Sequence, residues 1–241
     1  MSGKFTEIWV YLSATPLLGL TVTLLAYQAA FWLYRKAGMH PLANPVAISV
    51  SVLVALLWFT DTPYATYFEG AQFVHFLLGP ATVALAVPLY ANLDTLKKNL
   101  LPLGGALLAG SLTAAVSAVG IGWLLGASRE TLLSLAPKSV TTPIAMGVAE
   151  KLGGLPSLTA VLVVSTGILG AVLARGTLNL LRIDDHAVRG FAVGVAAHGI
   201  GTARAFQVSE TMGAFAGLAM GLNGLATAFL FPLLAGVLRG A

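Results

Sequence analysis

Residues 137 to 143 read Pro-Lys-Ser-Val-Thr-Thr-Pro, a lysine and three hydroxyls set between two prolines. That grouping suits a small anion: Lys138 supplies charge, and Ser139, Thr141 and Thr142 supply hydrogen-bond donors. Pro143 disfavours the α region for Thr142 and fits the first position of a helix. Residues 138 to 142 are therefore expected to form an extended break, with Thr142 capping a short helix. The unsatisfied amides of a helix start favour a carboxylate or phosphate. The competing reading, a surface loop whose lysine reaches for lipid headgroups, has no use for three hydroxyls.

Two further constellations carry polar chemistry. In residues 76 to 90, FLLGPATVALAVPLY, Gly79 and Pro80 start a helix, Thr82 adds a hydroxyl, and Pro88 frees the carbonyl of Ala84. This span is expected to be interrupted, either as a second polar wall or as an ordinary proline kink used in packing. In residues 196 to 206, AAHGIGTARAF, Gly199 and Gly201 permit close backbone approach, Thr202 adds a hydroxyl, and Arg204 is a planar donor that can grip a carboxylate. The alternatives are Arg204 at the end of a span, snorkelling or paired with Glu210, and His198 as a packed neutral histidine. Glu150, His198 and Asn223 are candidate coupling residues. Against that, Glu150 and Lys151 can simply end the short helix in water, and the sequence Gly-Leu-Asn-Gly around Asn223 suits small-residue helix packing.

The elements that hold these residues follow from composition. Of 241 residues, 57% are hydrophobic and 9% charged, with 27 glycines and no cysteine, and the mean hydropathy is +0.88. This is an all-α polytopic membrane protein. Apolar runs near 8 to 34, 46 to 60, 71 to 91, 100 to 126, 157 to 175, 187 to 206 and 211 to 238 predict about seven transmembrane helices, with 135 to 152 as a re-entrant or broken helix pair. One integral domain over residues 1 to 241 is expected. If 135 to 152 dips and returns, Arg35, Lys36, Lys97, Lys98, Arg175, Arg182, Arg189 and Arg239 share one side, which would be cytoplasmic. That leaves the N-terminus outside, with Asp61 and Glu69 in an outer loop. If the segment crosses instead, the charge bias largely disappears.

An internal echo, Leu78-x-Pro80-x-Thr82-Val83 against Leu135-x-Pro137-x-Ser139-Val140, is compatible with a structural repeat and equally with chance in apolar sequence. The Gly-Gly-Ala-Leu-Leu-Ala-Gly face of residues 104 to 110 permits helix association, and a homodimer is the expectation. The basic residues are scattered, so nucleic acid is not an expected partner. No nucleophile, phosphate-loop or metal-ligand signature is present, so no enzymatic activity, catalytic residue, cofactor or metal is expected. A passive or ion-coupled carrier in a bacterial inner membrane is the simplest reading.

Taken together, GPATVALAVPLY, PKSVTTPIA and HGIGTARAF resemble the LrgB/CidB family over nearly the whole chain. The resemblance implies a holin- or antiholin-like role, regulating murein hydrolase activity and cell lysis with a small LrgA/CidA-type membrane partner. It also implies transport, since the plastid relative is a glycolate/glycerate translocator and bacterial relatives are linked to pyruvate uptake. The family's motifs correspond here to Gly79, Pro80 and Thr82, to Lys138 through Pro143, and to Gly199 through Arg204. The combined expectation is a secondary transporter of small monocarboxylates working by alternating access. The contrasting expectation is an antiholin-like regulator acting through protein association.

Overall fold

In a computed structural model, residues 16–40, 43–77, 80, 90 and 93–240 are described, and among them every regular element is helical. The chain divides into two compact units, Met1–Ala84 and Leu85–Ala241.

The first unit contains α1 (Pro16–Lys36), α2 (Pro45–Phe59) and α3 (Tyr64–Phe76). Helix α2 starts where Asn44 accepts from the amides of Val46 at 2.9 Å and Ala47 at 3.1 Å, with Pro45 in the first turn. These bonds satisfy two of the amides that every helix start leaves open. Gly19 of α1 lets the backbone of α3 approach, because a Cβ there would collide with the Tyr67 carbonyl. Close by, the Thr23 hydroxyl meets the Tyr67 hydroxyl at 2.7 Å. Glu69, expected in a loop, instead lies within α3. The charge was a poor guide to a loop because exposed charges sit readily on a helix face.

The second unit contains the short helix α4 (Leu93–Lys98) and α5 (Leu100–Leu124), α6 (Arg129–Leu135), α7 (Thr142–Leu152), α8 (Pro156–Leu180), α9 (His186–Phe206) and α10 (Glu210–Gly240). The closest packing joins α9 to α10. Gly190 and Gly194, one turn apart on α9, face the backbone of α10, and a Cβ at either would collide with the carbonyls of Met212 and Ala216. In lipid no hydrophobic gain distinguishes helix–helix from helix–lipid contact, so such small-residue approach is what holds two helices together. The buried core follows this seam: Val193, Ala197, Ala205, Met212 and Ala216 form one cluster, and Phe191, Val195, Phe215 and Ala219 another. The outer faces carry exposed Leu101, Trp123, Leu124 and Leu125, as a lipid-facing surface requires.

Among the described residues four helices are long and apolar enough to cross a bilayer: Leu17–Lys36, Leu100–Leu124, Pro156–Leu180 and Glu210–Phe231. The 15-residue Pro45–Phe59 is apolar but shorter. The run expected near 71 to 91 lies mostly outside the described residues, and with it Gly79, Thr82, Pro88 and most of the first half of the internal echo. Pro80 is described and exposed.

Helices α6 and α7 have seven and eleven residues, so at 1.5 Å per residue neither reaches beyond about 17 Å, roughly half a hydrocarbon core. Their far ends come back together. Ser134, at the end of α6, accepts from the Leu155 amide at 2.8 Å, and the Thr159 hydroxyl donates to the Ser134 carbonyl at 3.3 Å. Gly153 (φ 90°) makes the left-handed turn that ends α7, and Gly154 packs on the Ser134 backbone where no side chain would fit. The chain thus leaves Ser134 through residues 136–141 and returns through α7 to the same level, as a hairpin.

Candidate functional site

Between α6 and α7 the backbone turns through residues 136–140, with the Val140 amide on the Pro137 carbonyl at 3.3 Å. The break is therefore wound rather than extended, apart from Thr141 (φ −61°, ψ 144°), which stands at the N-cap one residue earlier than expected. Pro143 is accommodated in the first turn of α7 because an amide there would have no intrahelical partner. Thr141 makes no side-chain capping bond. Lys138 is half-buried, with its ammonium 3.4 Å from the Ser139 hydroxyl. Pro137, Ser139 and Val140 are buried, and Val140 packs with Ala145 and Val163.

A second discontinuity faces the first. Helix α9 is interrupted at His198, whose backbone is left-handed (φ 40°, ψ −132°). This conformation is uncommon for a side-chain-bearing residue and persists only where surroundings enforce it. Three contacts do so. The His198 Nε2 lies 2.9 Å from the Val163 carbonyl of α8, which can only accept, so this nitrogen carries the proton. The Thr202 hydroxyl donates to the His198 carbonyl at 2.8 Å. Gly167 of α8 leaves room for the imidazole ring, which a Cβ there would strike.

Asn223 of α10 joins the two breaks. Its Nδ2 donates to the Ser139 carbonyl at 3.2 Å and to the Val195 carbonyl at 3.1 Å, one in each interrupted element. Because both partners are acceptors, the amide orientation follows from the network. The side chain is 1% exposed and its Oδ1 has no hydrogen-bond partner. Gly224, next along, receives Ile144 of the first turn of α7. Small-residue packing and polar bridging thus share the sequence Gly-Leu-Asn-Gly.

Among the residues singled out in the sequence, Lys138, Ser139, Thr141, Thr142, His198, Thr202 and Asn223 gather around these two breaks. Thr202 is buried, and its hydroxyl is occupied by the His198 carbonyl. Arg204 lies in the last turn of α9, and its Nη1 donates to Gln207 Oε1 at 3.2 Å. Glu150 is exposed near the end of α7, beside Lys151. Two features were not expected from sequence, the interruption at His198 and the use of the Val163 carbonyl. The glycines at 199 and 201 were their sole local signal. Two apolar clefts of about 510 and 480 Å³ run along α5, against α9 and α10 respectively, and Lys138, His198 and Asn223 line neither.

The chain matches the LrgB-like family over residues 23–237. It belongs to that family. Similar relatives include the uncharacterized protein YwbG of Bacillus subtilis (strain 168), 36% identical over 90% of this chain and 96% of the relative. The uncharacterized protein YxaC of the same strain is 35% identical over 88% and 92%. The antiholin-like protein LrgB of Bacillus mycoides (strain KBAB4) is 28% identical over 91% and 95%. No solved structure matches. This is accordingly a membrane protein of the LrgB-like family, aligned nearly end to end with relatives that bear the antiholin-like name.

Proposed function

We propose that this chain is an antiholin-like protein of a bacterial inner membrane, non-enzymatic, which restrains murein hydrolase activity and lysis together with an LrgA-type membrane partner. The observation that carries this reading is the near-complete alignment with proteins named antiholin-like LrgB, 91% of this chain against 95% of theirs. The test is complementation: expressed in a bacterium whose own LrgB-type gene is deleted, the chain lowers extracellular murein hydrolase activity and slows detergent-triggered autolysis. Unchanged activity and autolysis in the presence and absence of the partner would overturn it.

One observation favours a second reading, a secondary carrier of small monocarboxylates of the glycolate, glycerate or pyruvate kind. Two helices interrupted in the core, bridged to one another and flanked by a cation, are how carriers build a solute site at mid-bilayer. Lys138 would supply the counter-charge, and Ser139, Thr141 and the amides starting α7 would bind the carboxylate. Alternating access would come from the α6–α7 hairpin and the interrupted α9 moving against the other helices. In liposomes containing the purified chain, saturable uptake of labelled carboxylate is expected, reduced at least tenfold by Lys138→Met. Uptake unchanged by that substitution would remove the reading. The accompanying topology is seven spans plus the hairpin, N-terminus outside, with the loop charges around Arg35, Lys97 and Arg182 in the cytoplasm.

A further inference from the structure

The first limb of α9 runs beside α10 in a direction that a membrane-crossing α9 could not take. Gly190 and Gly194 meet Met212 and Ala216, so the numbering of both helices rises the same way and the two are parallel. Two spans joined by residues 207–209 alone would be antiparallel. Beyond His198 the chain doubles back. Gly201 lies against Val193, where a Cβ would stand 3.0 Å from the Val193 carbonyl, although residues eight apart on one helix are separated by about 12 Å. The two ends of α9 then come together. His186 Nδ1 and the Ser209 hydroxyl are 2.7 Å apart, whereas a continuous helix would hold positions 23 residues apart at about 35 Å. The tip is satisfied as backbone inside a bilayer must be. Asn223 and Thr202 donate to the Val195 and His198 carbonyls, at the end of the first limb, and His198 donates to the Val163 carbonyl.

Helix α8 relates this hairpin to the other. Its 25 residues are enough to cross the bilayer. The α6–α7 hairpin closes at the start of α8, through Leu155 and Thr159, and α9 begins just past its end at Leu180. Both tips reach Val163, with Val140 packed on it and His198 bonded to its carbonyl. We propose that α9 is a second re-entrant hairpin, entering from the membrane face opposite to α6–α7, so that the two plug the bilayer from both sides and α10 alone carries the chain across after α8. This rests on neither functional reading, and it removes 187–206 from the seven crossings counted with the carrier. Arg204 then joins Arg175, Arg182 and Arg189 on one side while Arg239 passes to the other, so the basic excess stays where the charge rule requires it. The full-length chain has no cysteine, so single thiols at exposed Asp184, at exposed Val208 and at Gly240 report sidedness in sealed vesicles. An impermeant maleimide applied from the face that blocks Asp184→Cys is expected to block Val208→Cys equally and to leave Gly240→Cys unreacted. Any other pattern would overturn the proposal; Gly240→Cys blocked and Val208→Cys spared is the one that a crossing α9 gives. In membranes, His186→Cys and Ser209→Cys are expected to be joined within one chain by a short bismaleimide, and absence of that product would overturn the hairpin as well.

Discussion

Ser134 and Thr202 show how single hydroxyls hold broken backbone in place of regular hydrogen bonding. Ser134 is fully buried and receives the Leu155 amide. Replacing it with alanine strands that amide, so Ser134→Ala is expected to cost about 1–3 kcal/mol, read as a lowered midpoint of thermal unfolding in detergent. Thr202→Val keeps the shape and removes the donor to the His198 carbonyl. It is expected to cost about 1 kcal/mol in the same measurement. The candidate site was legible at this scale where its residues sit together in the chain. The sequence Pro-Lys-Ser-Val-Thr-Thr-Pro announces itself because proline acts on its immediate neighbours. Asn223 is 84 positions from Ser139; nothing local in Gly-Leu-Asn-Gly says where its amide points. Arg204 was attractive as a carboxylate grip on chemistry alone, and its place in the last turn of α9, bonded to Gln207, depends on where that helix stops.

Among the elements, α9 and the α6–α7 hairpin depart from simple spanning helices, for different reasons. The hairpin's interruption is written into its own prolines. That of α9 is imposed from outside: His198 is left-handed because α8 offers a carbonyl at Val163 and a gap at Gly167. A sequence reading that weighs each run by itself sees only an apolar helix from 187 to 206. Gly167→Leu is therefore expected to push His198 from its pocket and disturb α9 rather than α8, lowering the unfolding midpoint more than Gly176→Leu, where a side chain meets open space. The seam between α9 and α10 makes a parallel case. Gly194→Leu cannot be accommodated against the Ala216 carbonyl and is expected to abolish recovery of folded protein, judged by a monodisperse peak in size-exclusion chromatography.

For the whole molecule the decisive question is which side of the membrane each turn occupies. The chain has no cysteine, so single introduced thiols report without background. With the hairpin closed at Ser134 and Leu155, Arg129→Cys and Glu150→Cys should react with a membrane-impermeant maleimide from the same side of inverted or right-side-out vesicles. Labelling from opposite sides would mean that residues 136–152 cross. Helix content and membrane class were readable because hydropathy is summed over many residues and tolerates local error. The positions of the breaks were less so, since α6, α7 and α9 depend on tertiary contacts that hydropathy does not weigh.

The polar ties that hold both breaks end on main-chain oxygens: Asn223 on Ser139 and Val195, His198 on Val163, Thr159 on Ser134, Thr202 on His198. A carbonyl is the same whatever side chain sits on its residue. Positions 139, 163 and 195 are thus free to drift without loosening these bonds, whereas positions 198, 202 and 223 must keep their donors. Correlated substitution across relatives, which reveals contacts when two side chains must change together, would pass over the joints most important to this architecture. They would surface instead as isolated invariant polar residues with no co-varying mate.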